Sequence, residues 1–238
     1  MAVTGTARSE RMRRATTADQ IRELILAQGL RPGDPLPTEA ELCEELDVSR
    51  SSVREAVRSL ATLDIVEVRH GHGTFVGRMS LDPMVQALVF RGVLSPGDSL
   101  QALREVVEVR MALDLAMAEK VVGAVAGTEQ AELAALVREM EASAARGETF
   151  LEADRAFHTT LLATIDNQLA GQLVAAFWDI HTAVLPRLGL ALPDDLRQTC
   201  QAHGDMLTAA LEGDVAGYRC AVIEHYEPLQ RALGRASS

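Results

Sequence analysis

Arg50, Arg54 and Arg58 recur every four residues within LDVSRSSVREAVRSLATLDIVEVRHGHGTFV, the run from Leu46 to Val76. On a helix of 3.6 residues per turn this spacing holds three guanidinium groups on neighbouring turns of one face. Such a face can meet phosphates and guanine edges, because each guanidinium presents a planar fork of donors. A second set of reactive side chains lies further on. Asp154 and His158 stand at i and i+4, so a carboxylate and an imidazole leave one helix face a turn apart. His203 and His225 sit among apolar neighbours such as Met206, Leu207, Val222 and Ile223, where an unsatisfied imidazole is costly. Brought together, three histidines and a carboxylate would bind a divalent transition metal. Spacing alone leaves both sets open: the arginines also fit a solvated charged face, and the histidines also fit satisfied core or surface positions.

For the arginines to read DNA, the surrounding chain must present their helix, and its punctuation does so. Residues 1–16, with Arg8, Arg11, Arg13 and Arg14 among small residues, lack apolar periodicity and read as a disordered arm. Residues Thr17 to Gln20 begin a helix whose apolar positions Ile21, Leu24, Ile25 and Leu26 run to Gln28, where Gly29 stops it. The proline-rich stretch Leu30 to Pro37 is an extended turn. Thr38 and Glu41 form a capping box for a second helix, Glu39 to Leu46, and Ser49 caps a third after the Asp47-Val48 turn. The third helix packs Val53, Val57 and Leu60, which leaves the arginines on an adjoining face. Ile65–Arg69 and Gly73–Val76 then alternate as two strands around a His70-Gly71-His72 tip able to enter a groove. Residues 17–78 therefore form a winged helix-turn-helix of three helices and a two-stranded wing.

Residues 79–98 read as a linker with one short helix, Met84 to Phe90. Beyond it six helical stretches are expected, about 99–122, 128–146, 150–164, 168–188, 193–212 and 214–233, which makes residues 99–234 an all-α bundle. The molecule is mainly α, and 238 residues suffice for two domains that bury cores without disulfides. Its formal charge of −11 is unevenly placed, since residues 1–78 hold 11 Arg against 12 Asp and Glu. Overall acidity therefore belongs to the second part and does not exclude DNA. Cys43, Cys200 and Cys220 lack a paired spacing, and no apolar stretch reaches the length of a membrane span, so a reducing cytoplasmic setting with no membrane partner is expected.

The string RPGDPLPTEAELCEELDVSRSSVREAVRSLATLDIVEVRHGHGTFV resembles the winged helix-turn-helix of the GntR family of bacterial transcription regulators. That resemblance implies that Arg50 and Arg54 read base edges and phosphates, that Ser49 and Ser51 contact phosphates beside Arg58, and that His70, Gly71 and His72 form the wing tip. Ala40 departs from the family's usual arginine, and Asp64 stands where the family has glycine; Asp tolerates the left-handed region better than most residues. The stretches EVVEVRMALDLAMAEKV, EADRAFHTTLLATIDNQ, HGDMLTAALEGD and AVIEHYEPL resemble the FCD ligand-sensing domain of the FadR subfamily, in the group that holds a metal. It implies Asp154, His158, His203 and His225 as ligands to a divalent ion, zinc first, with nickel or manganese as alternatives. Asp114 replaces the family's glutamate, a change expected to affect helix packing more than metal binding. Arg110 is implied to face the cavity beside the metal, where it would bind a small carboxylate effector such as a sugar acid, hydroxy-acid or dicarboxylate. The competing expectation for Arg110 is a surface ion pair with Asp114. His181 is assigned to cavity wall or packing, and Cys200 to a buried small hydrophobe.

Together these readings describe a repressor that binds double-stranded operator DNA as a homodimer, hinged at the linker and released by its effector. A regulator controlled by the metal alone is the alternative. A metal-dependent enzyme is the further one, and it lacks any nucleophile-base pair in the sequence.

Overall fold

The computed structural model describes residues 16–94, 99–184 and 196–235. The chain divides into two compact units, between Pro83 and Met84.

In the first unit, helices α1 (Thr17–Ala27), α2 (Glu39–Leu46) and α3 (Arg50–Thr62) precede strands β1 (Val66–Arg69) and β2 (Gly73–Val76). The first cap falls one residue earlier than the sequence suggested. Thr16, in extended backbone, accepts from the Asp19 amide while the Asp19 carboxylate accepts from the Thr16 N–H, a reciprocal box that satisfies two otherwise orphan donors. The rest of the expected arm lies outside the described residues. Thr38 and Glu41 repeat the box on α2, and Ser49 caps α3 by accepting from the Ser52 amide. Ile21, Leu24, Ile25, Leu36, Leu42, Val53, Ala56, Val57, Leu60, Val66 and Val76 form one core, so each element buries one stripe against the others.

The wing pairs antiparallel from Val66↔Val76 to Arg69↔Gly73. The proline-rich turn adds a further rung: the Leu36 amide donates to the Thr74 carbonyl at 2.8 Å and the Val76 amide to the Asp34 carbonyl at 2.8 Å. β1 starts at Val66 because the Ile65 amide donates back to the Leu60 carbonyl at 3.0 Å, closing the end of α3. Asp64 adopts the left-handed conformation at φ 55°, the backbone state expected there. Gly77 passes so close to Asp64 that a Cβ would lie 2.2 Å from its carbonyl oxygen, which makes glycine obligatory at that position.

The second unit is helical throughout its described residues: α4 (Asp82–Leu94), α5 (Ser99–Val125), α6 (Ala131–Ala145), α7 (Leu151–Ala163), α8 (Gln168–Val184), α9 (Leu196–Glu212) and α10 (Val215–Arg235). The short helix expected inside a linker is longer and is part of this unit, because Val85, Leu88 and Val89 pack against the bundle core. Of the expected linker at 79–98, residues 95–98 lie outside the described residues. α6 begins three residues later than expected, since the Thr128 hydroxyl and amide both donate to the Val125 carbonyl and finish α5 instead. α5 is the strut of the bundle and packs on α8, α9 and α10, while α7 packs on α6 and α8, and α9 on α6 and α10. Phe157, Leu161, Met206, Val222 and Tyr226 meet in its core. Pro228 lies inside α10, where it removes one helical hydrogen bond. No described helix is long and apolar enough to cross a membrane.

Candidate functional site

The outer face of α3 carries Arg50, Arg54 and Arg58 as exposed side chains, opposite buried Val53, Ala56, Val57 and Leu60. Ser49 and Ser51 are exposed at its N-terminus, with their hydroxyls 2.8 Å apart, so Ser49 both caps the helix and offers its oxygen near the helix's positive end. His70, Gly71 and His72 form an exposed tip in which the His72 amide donates to the Arg69 carbonyl and Gly71 takes φ 78°. Arg69, at the wing's edge, stacks on Phe75 at 4.2 Å. One contact was invisible to sequence periodicity. The Arg54 Nε donates to both carboxylate oxygens of Glu39 on α2, at 3.2 and 2.9 Å, in a side chain that stays exposed. Fifteen residues and a turn separate the pair, so no helical spacing could have announced it.

In the bundle, α7 supplies Asp154 and His158, α9 supplies His203 and α10 supplies His225; one potential ligand atom from each lies within 4.8 Å of all the others. All four are buried. The His158 Nε2 is 3.2 Å from the His225 Nε2 and 3.5 Å from the Asp154 Oδ1, and the His203 Nε2 is 3.3 Å from the same carboxylate oxygen. The His203 Nδ1 lies 2.7 Å from the Thr199 carbonyl, an acceptor only, so Nδ1 bears a proton and Nε2 is the ring nitrogen that faces Asp154. Neither the Asp154 Oδ1 nor the His203 Nε2 is within hydrogen-bond geometry of a partner. A metal ion held by both would satisfy them.

The electrostatics favour the same occupant. Burial opposes ionisation of Asp154, but the His203 imidazole and its contact with the carboxylate hold the group down at about 2. Burial, aided by the Arg110 charge and the neighbouring imidazoles, holds His158 and His225 well below the ordinary histidine range. An ionised carboxylate beside two imidazoles held neutral is the state a divalent metal requires of such ligands, and residues of these types suit zinc and its neighbours. Cys200, buried at the core, is outside this group.

Arg110 on α5 is 2 % exposed, which removes the surface ion pair from consideration. Its guanidinium lies 4.5 Å over the Trp178 ring and 5.4 Å from that of Tyr226, and its NH2 is 4.0 Å from the Asp154 Oδ1. Its Nε and NH2 have no hydrogen-bond partner. Both Arg110 and Asp154 line a cavity of about 60 Å³ with Thr149, Phe150, Trp178, Thr199, His225 and Tyr226. Asp114, expected to act in helix packing, joins two helices. It is buried beside the histidines, with its Oδ2 accepting from the Tyr226 hydroxyl at 2.6 Å and lying 3.8 Å from the His158 Nδ1. The side chain of His181 is outside the described residues.

Residues 13–76 match the model of the bacterial regulatory proteins of the gntR family, and residues 105–228 match that of the FCD domain. The chain belongs to the GntR family. It is a DNA-binding transcription regulator and not an enzyme. Among its relatives is the galactonate operon transcriptional repressor of Escherichia coli (strain K12), 30% identical over 187 residues that span 78% of this chain and 82% of that one. Another, also from E. coli (strain K12) and named for an L-lactate dehydrogenase operon, is 28% identical across 92% of this chain and 85% of its own. A solved GntR structure from Streptococcus agalactiae superposes with a TM-score of 0.64 at 30% identity, covering 90% of this chain and 97% of that one.

Proposed function

We propose that this GntR-family protein is a metabolite-responsive repressor, released from its operator by a small hydroxy- or sugar acid bound beside a divalent metal. The observation that carries the reading is the set of buried residues on one cavity whose polar atoms lack hydrogen bonds: Arg110 through its Nε and NH2, Asp154 through its Oδ1 and His225 through its Nδ1, with the His203 Nε2 3.3 Å from that carboxylate oxygen. A buried guanidinium whose Nε and NH2 make no hydrogen bond, with only a 4.0 Å contact to Asp154, suits an anionic ligand, and a buried ionised carboxylate grouped with three imidazoles suits a metal. Asp154, His158, His203 and His225 would hold the ion, which would supply open coordination positions for oxygen ligands. Arg110 would bind the effector carboxylate, with Trp178 and Tyr226 fixing the guanidinium plane. The two relatives named for galactonate and L-lactate operons support this class, since both compounds are α-hydroxy acids whose hydroxyl and carboxylate can reach a metal and an arginine together.

On the DNA side, Arg50 and Arg54 would read base edges, Arg58, Ser49 and Ser51 would contact phosphates, and the His70 to His72 tip would enter the adjoining groove. The protein would act as a homodimer, because one chain carries one reading helix and a two-fold operator requires two.

The test is thermal unfolding of zinc-loaded protein against hydroxy-acids, sugar acids, dicarboxylates and fatty acids, repeated after chelation and followed by DNA-release assays with the active compound. The expected result is a selective rise in midpoint that chelation abolishes and that accompanies loss of DNA binding. If no acid shifts the midpoint while zinc by itself reversibly controls DNA binding, the metal is the signal and the effector reading falls.

A further inference from the structure

We propose that Asp114 is a positioning residue for this centre: its carboxylate determines which nitrogen of His158 carries the proton, and thereby turns the Nε2 lone pair toward Asp154, His203 and His225. The inference rests on reading those four residues as a metal site. An imidazole that ligates through Nε2 must bear its hydrogen on Nδ1, and a buried N–H needs an acceptor behind it. His203 has one in the Thr199 carbonyl. Behind the His158 Nδ1 stands the Asp114 Oδ2 at 3.8 Å, a charge-pair contact a few tenths of an ångström longer than a hydrogen bond, and that oxygen is held by the Tyr226 hydroxyl at 2.6 Å. His225 lacks such backing, since its Nδ1 has no hydrogen-bond partner.

With Asp114 in this role, each ring of the metal-free protein takes a definite tautomer. With the proton of His158 on Nδ1, its Nε2 is an acceptor. The His225 Nε2, 3.2 Å away, must then be the donor between them. That leaves the His225 Nδ1 as a bare lone pair, which agrees with its lack of a partner. A divalent ion would then meet His158 with its Nε2 lone pair free, while ligation through the His225 Nε2 would require that ring's proton to sit on Nδ1. Without Asp114 the proton of His158 can instead occupy Nε2 and point into the site.

The experiment compares full-length wild type with Asp114→Leu and with the double variant Asp114→Leu/Tyr226→Phe. The double variant removes both partners of the buried hydrogen bond together and so leaves no orphaned hydroxyl if the single variant folds poorly. Long-range proton–nitrogen NMR of the metal-free proteins reads the ring tautomers, and competition with a chromophoric chelator reads zinc affinity. Expected are an Nδ1–H tautomer for His158 in wild type, its shift toward Nε2–H in both variants with His203 unchanged, and zinc affinity reduced roughly 10- to 100-fold. An unchanged His158 tautomer, or zinc affinity within about twofold of wild type in the folded variants, overturns the role of Asp114. Failure of wild type to bind zinc at all is a separate result, which removes the metal reading and this inference with it.

Discussion

Arg110 shows what burial does to a single side chain. At 2 % exposure it has surrendered its hydration, and stacking on Trp178 recovers only part of that loss because the Nε and NH2 donors stay unpaired. On the proposed reading the effector's carboxylate meets those donors. Arg110→Ala should weaken acid binding about 10- to 100-fold, the worth of one to two charge-assisted hydrogen bonds, while stoichiometric zinc is retained. Isothermal titration with the active acid and metal analysis of the same sample check both halves; an unaltered acid affinity would remove Arg110 from the effector site. Asp154→Ala should do the reverse at the metal. It leaves three imidazoles without the anion that balances the ion, so zinc content after dialysis should fall well below one per chain.

Helix α3 has to satisfy two demands at once, and the division of its faces answers both. Leu60 is 1 % exposed within the first unit's core, and Leu60→Ala should cost about 2–5 kcal/mol in denaturant unfolding of the DNA-binding unit. On the outer face, Arg54→Ala should cost about 1–3 kcal/mol of operator affinity if the side chain reads a base. The pairing of α2 with α3 through Glu39 adds a sharper expectation. An exposed ion pair contributes little to stability, so an effect of Glu39 on DNA recognition would come through its hold on the Arg54 side chain. Glu39→Ala should raise non-specific DNA affinity by removing a negative charge, yet lower the ratio of operator to random-sequence affinity. Fluorescence anisotropy with an operator selected by the wild-type protein measures that ratio; equal gains on both DNAs would reduce Glu39 to a charge effect.

For the molecule as a whole, sensing requires that acid and metal bind two arrangements of the protein with different affinity, since a ligand shifts an equilibrium only through that difference. With one reading helix per chain, the expected stoichiometry on a two-fold operator is two protomers, measurable by sedimentation of the DNA complex. A single protomer on a full operator would contradict the proposed dimer. Operator binding should also weaken steeply with salt, as arginine–phosphate contacts release counterions.

Local chemistry was sufficient for the elements. The capping boxes, the Pro-Gly turn, the alternating wing and the helical breaks all act within a few residues, where hydrogen-bond geometry and backbone preference decide, and they made the winged helix and the bundle legible in the sequence. The misplacements were local contests of the same kind: Thr16 outcompeted Thr17 as cap, and Thr128 closed α5 instead of opening α6. Resemblance pointed to the four metal-ligating candidates, but spacing could not, because Asp154 and His158 meet His203 and His225 only through the packing of α7, α9 and α10. Tertiary structure alone decided the remaining matters. It buried Arg110 against Trp178, brought Asp114 behind His158 through Tyr226, and tied Arg54 to Glu39. Each of those contacts joins separate helices, and side-chain reach across a helix interface depends on how the helices pack, which no periodicity along one chain records.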